Sequence, residues 1–143
     1  MPRPVTALIV DDEPHVHVYL RFLLKQLGVV TVWDAAEGYA AIELAAEHNP
    51  DVVLLDINLP RLSGLEVLSR LKEAHPKMHV IVVSVESNPE TIVEANELGA
   101  DGYVLKHLPR AKVLEKLSEL FDQIADRSNG ENAGNEKQPT RPE

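Results

Sequence analysis

Short aliphatic runs alternate with stretches of helical periodicity along most of this chain. Five runs have the length and β-branched content of strands, and each is bounded by acidic residues, Pro or Gly: 5–10, 29–33, 51–56, 79–84 and 102–106. A strand that is apolar on both faces is typical of a parallel sheet covered by helices on each side. The connections between the runs are too short for anything but crossovers. The alternation therefore predicts an α/β fold, a doubly wound parallel sheet of five strands with five helices.

The segments between the runs end on ordinary helix stops. The first stops at Gly28, the second at the Asn49-Pro50 pair and the fourth at Gly99. Apolar residues recur at helical spacing in each segment; in the last one they are Leu114, Leu117, Phe121 and Ile124.

Composition limits the partners. The chain has 143 residues, of which 44% are hydrophobic, which suits one domain with a single core. The net charge of -9 argues against direct binding of nucleic acid or of an anionic membrane. Without cysteine there is no disulfide and no thiolate metal site. No apolar run has the length of a signal-peptide core or a membrane span, so we expect a cytoplasmic protein.

The last 17 residues, 127–143, differ in composition from the rest. Ala133 is their only aliphatic residue, and their three basic and three acidic residues balance, so the net charge belongs to residues 1–126. Such a segment cannot bury enough apolar surface to order itself. We therefore expect one domain over residues 1–126 and a disordered polar tail over residues 127–143.

Polar residues stand where the predicted strands end. Asp11 and Asp12 follow the first strand, Asp56 ends the third, Ser84 the fourth and Lys106 the fifth. Ligands of open parallel sheets bind beyond the carboxyl ends of the strands, where the strand order reverses. We expect these five side chains to converge at one edge of the sheet.

The convergence favours phosphoryl chemistry with a divalent ion. Three close carboxylates repel unless a cation joins them, and oxygen ligands without His or Cys suit Mg²⁺ or Mn²⁺. An Asp carboxylate can also act as a nucleophile toward phosphorus and form an acyl phosphate. Lys106 could then neutralise one phosphoryl oxygen, and Ser84 could donate a hydrogen bond to another.

Four segments carry a family resemblance. LIVDDEP, VVLLDINLPRLSG, VVSVE and GADGYVLK occur in this order, and together they resemble the receiver domain of two-component response regulators, the CheY-like family. The resemblance covers residues 5 to about 126 and implies the flavodoxin-like strand order 2-1-3-4-5. Any one of these residues alone has an ordinary structural explanation that needs no phosphoryl chemistry. The Asp11-Asp12 pair, for example, would serve as a helix cap in most proteins.

The resemblance also implies roles. Asp56 would be the phosphoacceptor, served by a sensor histidine kinase, a phosphotransfer protein or a small phosphodonor. Asp12, Asp56 and the backbone carbonyl of Asn58 would bind Mg²⁺ directly, Asp11 mainly through water, and Lys106 would bind the phosphoryl group. The chain would be a signalling phosphoacceptor with its own Mg²⁺-dependent autophosphorylation and autodephosphorylation chemistry, and no enzyme in the usual sense.

Two residues would form the switch. Ser84 would move toward the installed phosphoryl group, and Tyr103 would swing into the vacated space. The face of the fourth helix, fifth strand and fifth helix would then bind a downstream protein.

Three further residues would tune the lifetime of the phosphorylated form. In the family, the residues at the positions of Asn58 and Glu86 flank the line of water attack, so the resemblance implies rapid loss of phosphate. The branched Val85, where the family usually has a small residue, would slow it. We expect a short to moderate lifetime.

Alternatives stay open. His107 follows Lys106 where the family usually has proline. Some receivers attached to DNA-binding domains lack that proline, so the chain could be the N-terminal receiver fragment of a transcriptional regulator. A haloacid-dehalogenase-like phosphatase uses similar groups but has its nucleophile on the first strand, and a scaffold without phosphorylation would not need the intact acidic set. We interpret the six histidines as surface residues.

Overall fold

The chain forms the predicted doubly wound α/β fold. The computed structural model describes residues 3–137, and its five parallel strands follow the order β2-β1-β3-β4-β5. The elements in chain order are β1 (Thr6–Val10), α1 (Pro14–Gln26), β2 (Thr31–Ala35), α2 (Gly38–His48), β3 (Val52–Leu55), α3 (Gly64–Ala74), β4 (His79–Ser84), α4 (Pro89–Glu97), β5 (Gly102–Leu105) and α5 (Arg110–Lys137).

Two hydrophobic layers hold the sheet. Apolar residues of α1 and α5 cover one face, and those of α2, α3 and α4 cover the other. Strand β3 alternates between the layers, with Val52 and Leu54 in the first and Val53 and Leu55 in the second, and none of the four is more than 1% exposed. Burial on both faces explains why the central strands read as continuous aliphatic runs.

The register brings the strand ends together. Val10 pairs with Leu55 across β1 and β3, so the next residues, Asp11 and Asp56, lie side by side at the carboxyl edge of the sheet. Asp56 continues the ladder by donating its N–H to the Val10 carbonyl at 2.9 Å. Ser84 pairs with Leu105, which places Lys106 one residue beyond it.

Helix ends agree with the predicted stops. Gly28 follows α1 with φ +92°, and Gly99 follows α4 with φ +105°, both in the left-handed region that glycine adopts readily. Asn49 ends α2 in the same region with φ 49°.

Strand β2 departs from the prediction by two residues. The apolar run predicts residues 29–33, but the strand covers Thr31–Ala35. Val30 is 79% exposed, and its N–H is donated to the Val5 carbonyl at the start of the pairing with β1. Because β2 is an edge strand, it needs no continuous apolar run, and its composition is a poor guide to its bounds.

Helix α5 differs from the prediction at its end. The sequence predicts a disordered tail from residue 127, whereas α5 continues to Lys137. Adding a residue to an existing helix costs far less than starting one, and no proline interrupts residues 127–137. The remainder of the predicted tail, residues 138–143, lies outside the described residues, and the division at residue 126 stays a prediction. Over residues 3–137, no helix combines the length and apolar character needed to cross a membrane.

Candidate functional site

Three carboxylates gather at the carboxyl edge of the sheet. Asp11 and Asp56 are buried, at 1% and 4% exposure, while Asp12 is exposed at the rim. Each offers an oxygen that lies within 4.8 Å of the others. Such a set of hard oxygen donors fits a divalent ion such as Mg²⁺.

Lys106 joins the two buried carboxylates. Its Nζ donates to Asp11 Oδ2 at 2.7 Å and to Asp56 Oδ2 at 3.3 Å. The lysine follows β5 directly, and its backbone N–H donates to the Ser84 carbonyl at 2.9 Å. The sheet therefore fixes the backbone of Lys106, and its ammonium reaches across the site to both carboxylates.

Burial dominates the acid–base behaviour of Asp56. Desolvation raises the pKa of its carboxyl above the ordinary value, opposed by the Lys106 ammonium and the Asn58 N–H and reinforced by the Asp11 charge. Burial also pushes the pKa of Lys106 down, but hydrogen bonding to Asp11 and the charges of Asp56 and Asp11 outweigh it and raise that pKa. Lys106 therefore stays protonated at neutral pH, which is the state needed to bind an anionic group.

A hydrogen-bonded chain links Ser84 to Tyr103. The buried Ser84 Oγ accepts the backbone N–H of Glu86 at 3.1 Å, and the Tyr103 hydroxyl donates to the Glu86 carbonyl at 2.7 Å. Burial, followed by the Glu86 and Asp56 charges, raises the pKa of the Tyr103 hydroxyl. Both predicted switch residues thus form hydrogen bonds with the backbone of Glu86, in the loop before α4.

The predicted lifetime residues lie around the rim. Asn58 is exposed and donates its backbone N–H to Asp56 Oδ1 at 3.2 Å. Val85 is 51% exposed, and the Glu86 carboxylate accepts the Asn88 N–H at 3.2 Å. Asn58 thus contacts Asp56 through its backbone N–H. The binding of Mg²⁺ by its backbone carbonyl stays a prediction.

The sequence interpretation gave no site role to two neighbours of the site. Gly64, at the start of α3, donates its N–H to the Ile57 carbonyl at 2.8 Å and packs against the backbone of the loop after β3. His17 is half-buried, with its ring nitrogen Nε2 bonded to the Asp11 carbonyl oxygen, so it is no simple surface residue. No spacing or motif in the sequence marks this contact, because its partner is a backbone carbonyl.

A family model decides the relationship. The response regulator receiver domain model matches residues 7–118. The chain belongs to the response regulator receiver domain family. Receiver domains are signalling modules of two-component systems, and the family generally binds Mg²⁺ at an acidic pocket of the kind formed by Asp11, Asp12 and Asp56.

Relatives and solved structures agree with this assignment. The receiver is 37% identical over 115 residues to the nitrate/nitrite response regulator protein NarL of Escherichia coli strain K12, covering 80% of this chain and 53% of the relative. It therefore spans about half the length of that relative.

Two solved receivers have the same architecture. A CheY-like receiver domain protein of Methanospirillum hungatei JF-1 is 28% identical with a TM-score of 0.76, covering 85% of this chain and 97% of the other. The CheX–CheY–BeF3–Mg²⁺ complex of Borrelia burgdorferi contains a chain that is 30% identical with a TM-score of 0.77, covering 83% and 90%. These matches give no support to the phosphatase alternative.

Proposed function

We propose that Asp56 of this receiver accepts a phosphoryl group and that the phosphorylated form switches a protein-binding face. The observation that carries the proposal is the position of a buried carboxylate, Asp56, within 3.3 Å of the Lys106 ammonium and beside two further carboxylates. An ordinary buried ion pair would not need the additional acids, since they raise the cost of burial.

The transfer needs little from the protein beyond position and charge. An Asp56 oxygen forms the new bond to phosphorus while the P–N bond of a donor phosphohistidine breaks and the leaving imidazole takes up a proton. A sensor histidine kinase or a phosphotransfer protein would supply that donor, and a small acyl phosphate could replace it. Lys106 holds one phosphoryl oxygen, and Ser84 donates its hydroxyl hydrogen to another.

A divalent ion fits the carboxylates that face the phosphoryl position. Asp12, Asp56 and the Asn58 carbonyl would hold Mg²⁺, or Mn²⁺ in its place, with Asp11 acting through water. When bound, the ion neutralises charge on the phosphoryl oxygens. The same residues support autophosphorylation from small donors and autodephosphorylation by water.

The proposed switch passes through the backbone of Glu86. When Ser84 turns its hydroxyl toward the phosphoryl group, the Glu86 N–H loses its acceptor at 3.1 Å. Tyr103, bonded to the Glu86 carbonyl, then follows the loop inward. The face formed by α4, β5 and α5 changes shape and binds a downstream protein in the cytoplasm.

The lifetime of the phosphorylated form follows from three rim residues. Asn58 and Glu86 are polar and leave room for an attacking water, while Val85 adds bulk beside the site. We expect a short to moderate lifetime, and a half-life of hours in purified protein would contradict it.

The decisive experiment is incubation with acetyl phosphate and Mg²⁺ followed by intact-mass analysis. Wild type should gain one phosphoryl group, Asp56→Asn should gain none, and Asp122→Asn, an exposed aspartate on α5, should behave as wild type. Equal labelling of wild type and Asp56→Asn would refute the assignment of Asp56.

A second candidate is that the receiver is the N-terminal part of a longer, DNA-binding regulator. The match to 53% of the Escherichia coli relative favours it. In that case the switched face would contact a further domain of the same protein, and the net charge of -9 leaves DNA contacts to that domain. Sequencing the gene beyond codon 143 distinguishes the candidates, since a stop codon there excludes the longer regulator.

A further inference from the structure

A second polar cluster lies at the opposite, amino-terminal edge of the sheet. Its centre is Asp101, which immediately precedes β5 and has a side chain that is 9% exposed. Asp101 Oδ2 accepts the backbone N–H of Val80 at 2.8 Å, and the Lys72 ammonium of α3 lies 3.4 Å from the same oxygen. Lys72 also donates to the Met78 carbonyl at 2.7 Å, so its head group is fixed from two sides.

The other carboxylate oxygen faces α5. Arg127 Nη1 donates to Asp101 Oδ1 at 3.1 Å. His79 Nδ1 lies 3.4 Å from that oxygen, at ion-pair distance but without hydrogen-bond geometry. We call Lys72, His79, Asp101 and Arg127 the Asp101 cluster. Its members come from α3, β4, the start of β5 and α5.

The cluster keeps Asp101 ionised. Burial pushes the pKa of its carboxyl up, but His79, the Val80 N–H and Lys72 outweigh burial and lower the pKa below the ordinary value. A permanent negative charge is therefore available to Arg127 throughout the neutral range.

Arg127 is the point at which α5 loses its hydrophobic support. Phe121 and Ile124 are buried in the core at 0% and 2% exposure, while Asp126 and Arg127 are exposed. Ile124 is the last buried residue of α5 among the side chains that the structure describes. The Arg127–Asp101 pair therefore extends the attachment of α5 by almost one turn beyond the core.

Asp101 lies next to β5 and contacts α5, two elements of the proposed output face. Three residues separate it from the end of α4, it immediately precedes β5, and it accepts a hydrogen bond from Arg127 of α5. Strands β4 and β5, which start at the Asp101 cluster, end at Ser84 and Lys106 in the candidate phosphorylation site. The output face thus lies between two polar clusters, one at each edge of the sheet.

A purely local role for Asp101 is the competing explanation. Its bond to the Val80 N–H alone would stabilise the turn before β5, and Lys72 would favourably face the C-terminal end of α3. Neither contact explains why the second carboxylate oxygen accepts a donor from α5, 26 residues along the chain. That contact joins elements which otherwise pack through apolar side chains.

We propose that the Asp101–Arg127 pair is a salt-sensitive tie that fixes the direction in which α5 leaves the domain, and so regulates the output face. This inference rests on the proposed function of that face. The Arg127 side chain is 49% exposed, so the tie is weak and screened by salt, and a partner that draws Arg127 away can release the end of α5.

Hydrogen exchange of α5 tests the tie. Arg127→Gln and Asp101→Asn should each speed amide exchange in the last two turns before residue 127 by about two- to fivefold, the range expected of a half-exposed ion pair. Raising NaCl to about 1 M should have the same effect on wild type and little on either variant. Lys112→Gln is the matched control, because Lys112 forms an exposed pair with Glu115 on the same helix.

Two outcomes would overturn the proposed role of the Asp101–Arg127 pair. The first is unchanged α5 exchange in Arg127→Gln. The second is an Asp101→Asn variant whose exchange changes at Val80 alone, because Asp101 would then have only its local role. Acetyl phosphate labelling of the same variants should match wild type, since Asp56 lies at the other edge of the sheet. Loss of labelling in every protein, wild type included, would reject the proposed function and leave the exchange result to decide the tie.

Discussion

Gly64 lies against the backbone of Asp56 so closely that a Cβ atom at residue 64 would stand 2.2 Å from the Asp56 carbonyl oxygen. The same atom would stand 2.5 Å from the Ile57 Cα. Helix α3 therefore starts in direct backbone contact with the residue that we propose as the phosphoacceptor. Only a residue without a Cβ allows this approach to the backbone of the loop after β3.

Gly64→Ala should damage both stability and the site. The added methyl meets backbone atoms, so the loop after β3 must move, at a cost of about 1–3 kcal/mol in the free energy of unfolding. We expect a lower urea midpoint and slower phosphorylation by acetyl phosphate. Gly28→Ala is the control: its Cβ meets nothing within 4 Å, but its φ of +92° is strained for alanine. It should lose stability and keep wild-type phosphorylation; equal phosphorylation of both variants would contradict the role of Gly64.

The parts of the structure that depend on local sequence were predictable. Strands β1 and β3 are buried on both faces, so their aliphatic runs mark them, and the polar residues that follow them mark the edge of the sheet. Edge strand β2 is half-exposed, and its bounds were shifted by two residues because apolar content no longer sets them.

Contacts between distant segments were less predictable. The ion pair between Asp101 and Arg127 and the approach of Gly64 to Asp56 depend on how the elements pack. Neither contact leaves a periodicity or a motif spacing in the sequence. His17 was assigned to the surface because its partner is a backbone carbonyl, which has no sequence signature.

Asp56→Asn should stabilise the protein at neutral pH. Because the folded-state pKa of Asp56 is raised, its contribution to stability is fully present below the unfolded value of about 3.9 and is lost as pH rises through the folded pKa. Asparagine keeps the shape and an oxygen for the Asn58 N–H without the buried charge. Urea unfolding should therefore show a higher midpoint for the variant at pH 7 and a smaller difference near pH 4. A less stable variant at pH 7 would mean that the Lys106 pair outweighs burial.

Asp101→Asn should have the opposite pH dependence. The folded-state pKa of Asp101 is lowered, so its contribution to stability is present above about 3.9 and is lost as pH falls through the folded pKa. Lys72, His79 and Arg127 face this carboxylate, and the variant leaves them without their anion. We expect a lower urea midpoint at pH 7 and a smaller difference from wild type at pH 3. A difference that persists unchanged at pH 3 would rule out the ionised carboxylate as its source.

Mg²⁺ should raise the melting temperature of wild type through Asp12. An ion that binds only the folded state adds stability that rises with the logarithm of its concentration above its Kd, and removal of one carboxylate ligand raises that Kd. Asp12→Asn should therefore show a smaller rise in melting temperature in 10 mM MgCl₂, as expected if its affinity for Mg²⁺ is about tenfold lower. Glu13→Gln is the control, since Glu13 is an adjacent exposed acid that we do not assign as a ligand. An equal loss of the Mg²⁺ response in both variants would indicate only a diffuse field of negative charge.

Ser84 and Tyr103 should be energetically coupled through Glu86. Both contact the backbone of Glu86: Ser84 Oγ accepts its N–H, and the Tyr103 hydroxyl donates to its carbonyl. Tyr103→Phe removes one hydrogen bond and should cost about 0.5–1.5 kcal/mol, while Ser84→Ala leaves a backbone N–H without its acceptor and should cost about 1–3 kcal/mol. In a double-mutant cycle the combined loss should be smaller than the sum of the single losses, because the first change already loosens the loop that the second would loosen. Urea unfolding of the four proteins measures this coupling, and Tyr19→Phe supplies a tyrosine control away from the Glu86 loop. Strict additivity would mean that the two hydroxyl groups act independently. It would contradict the proposal that Glu86 couples the phosphoryl site to α4.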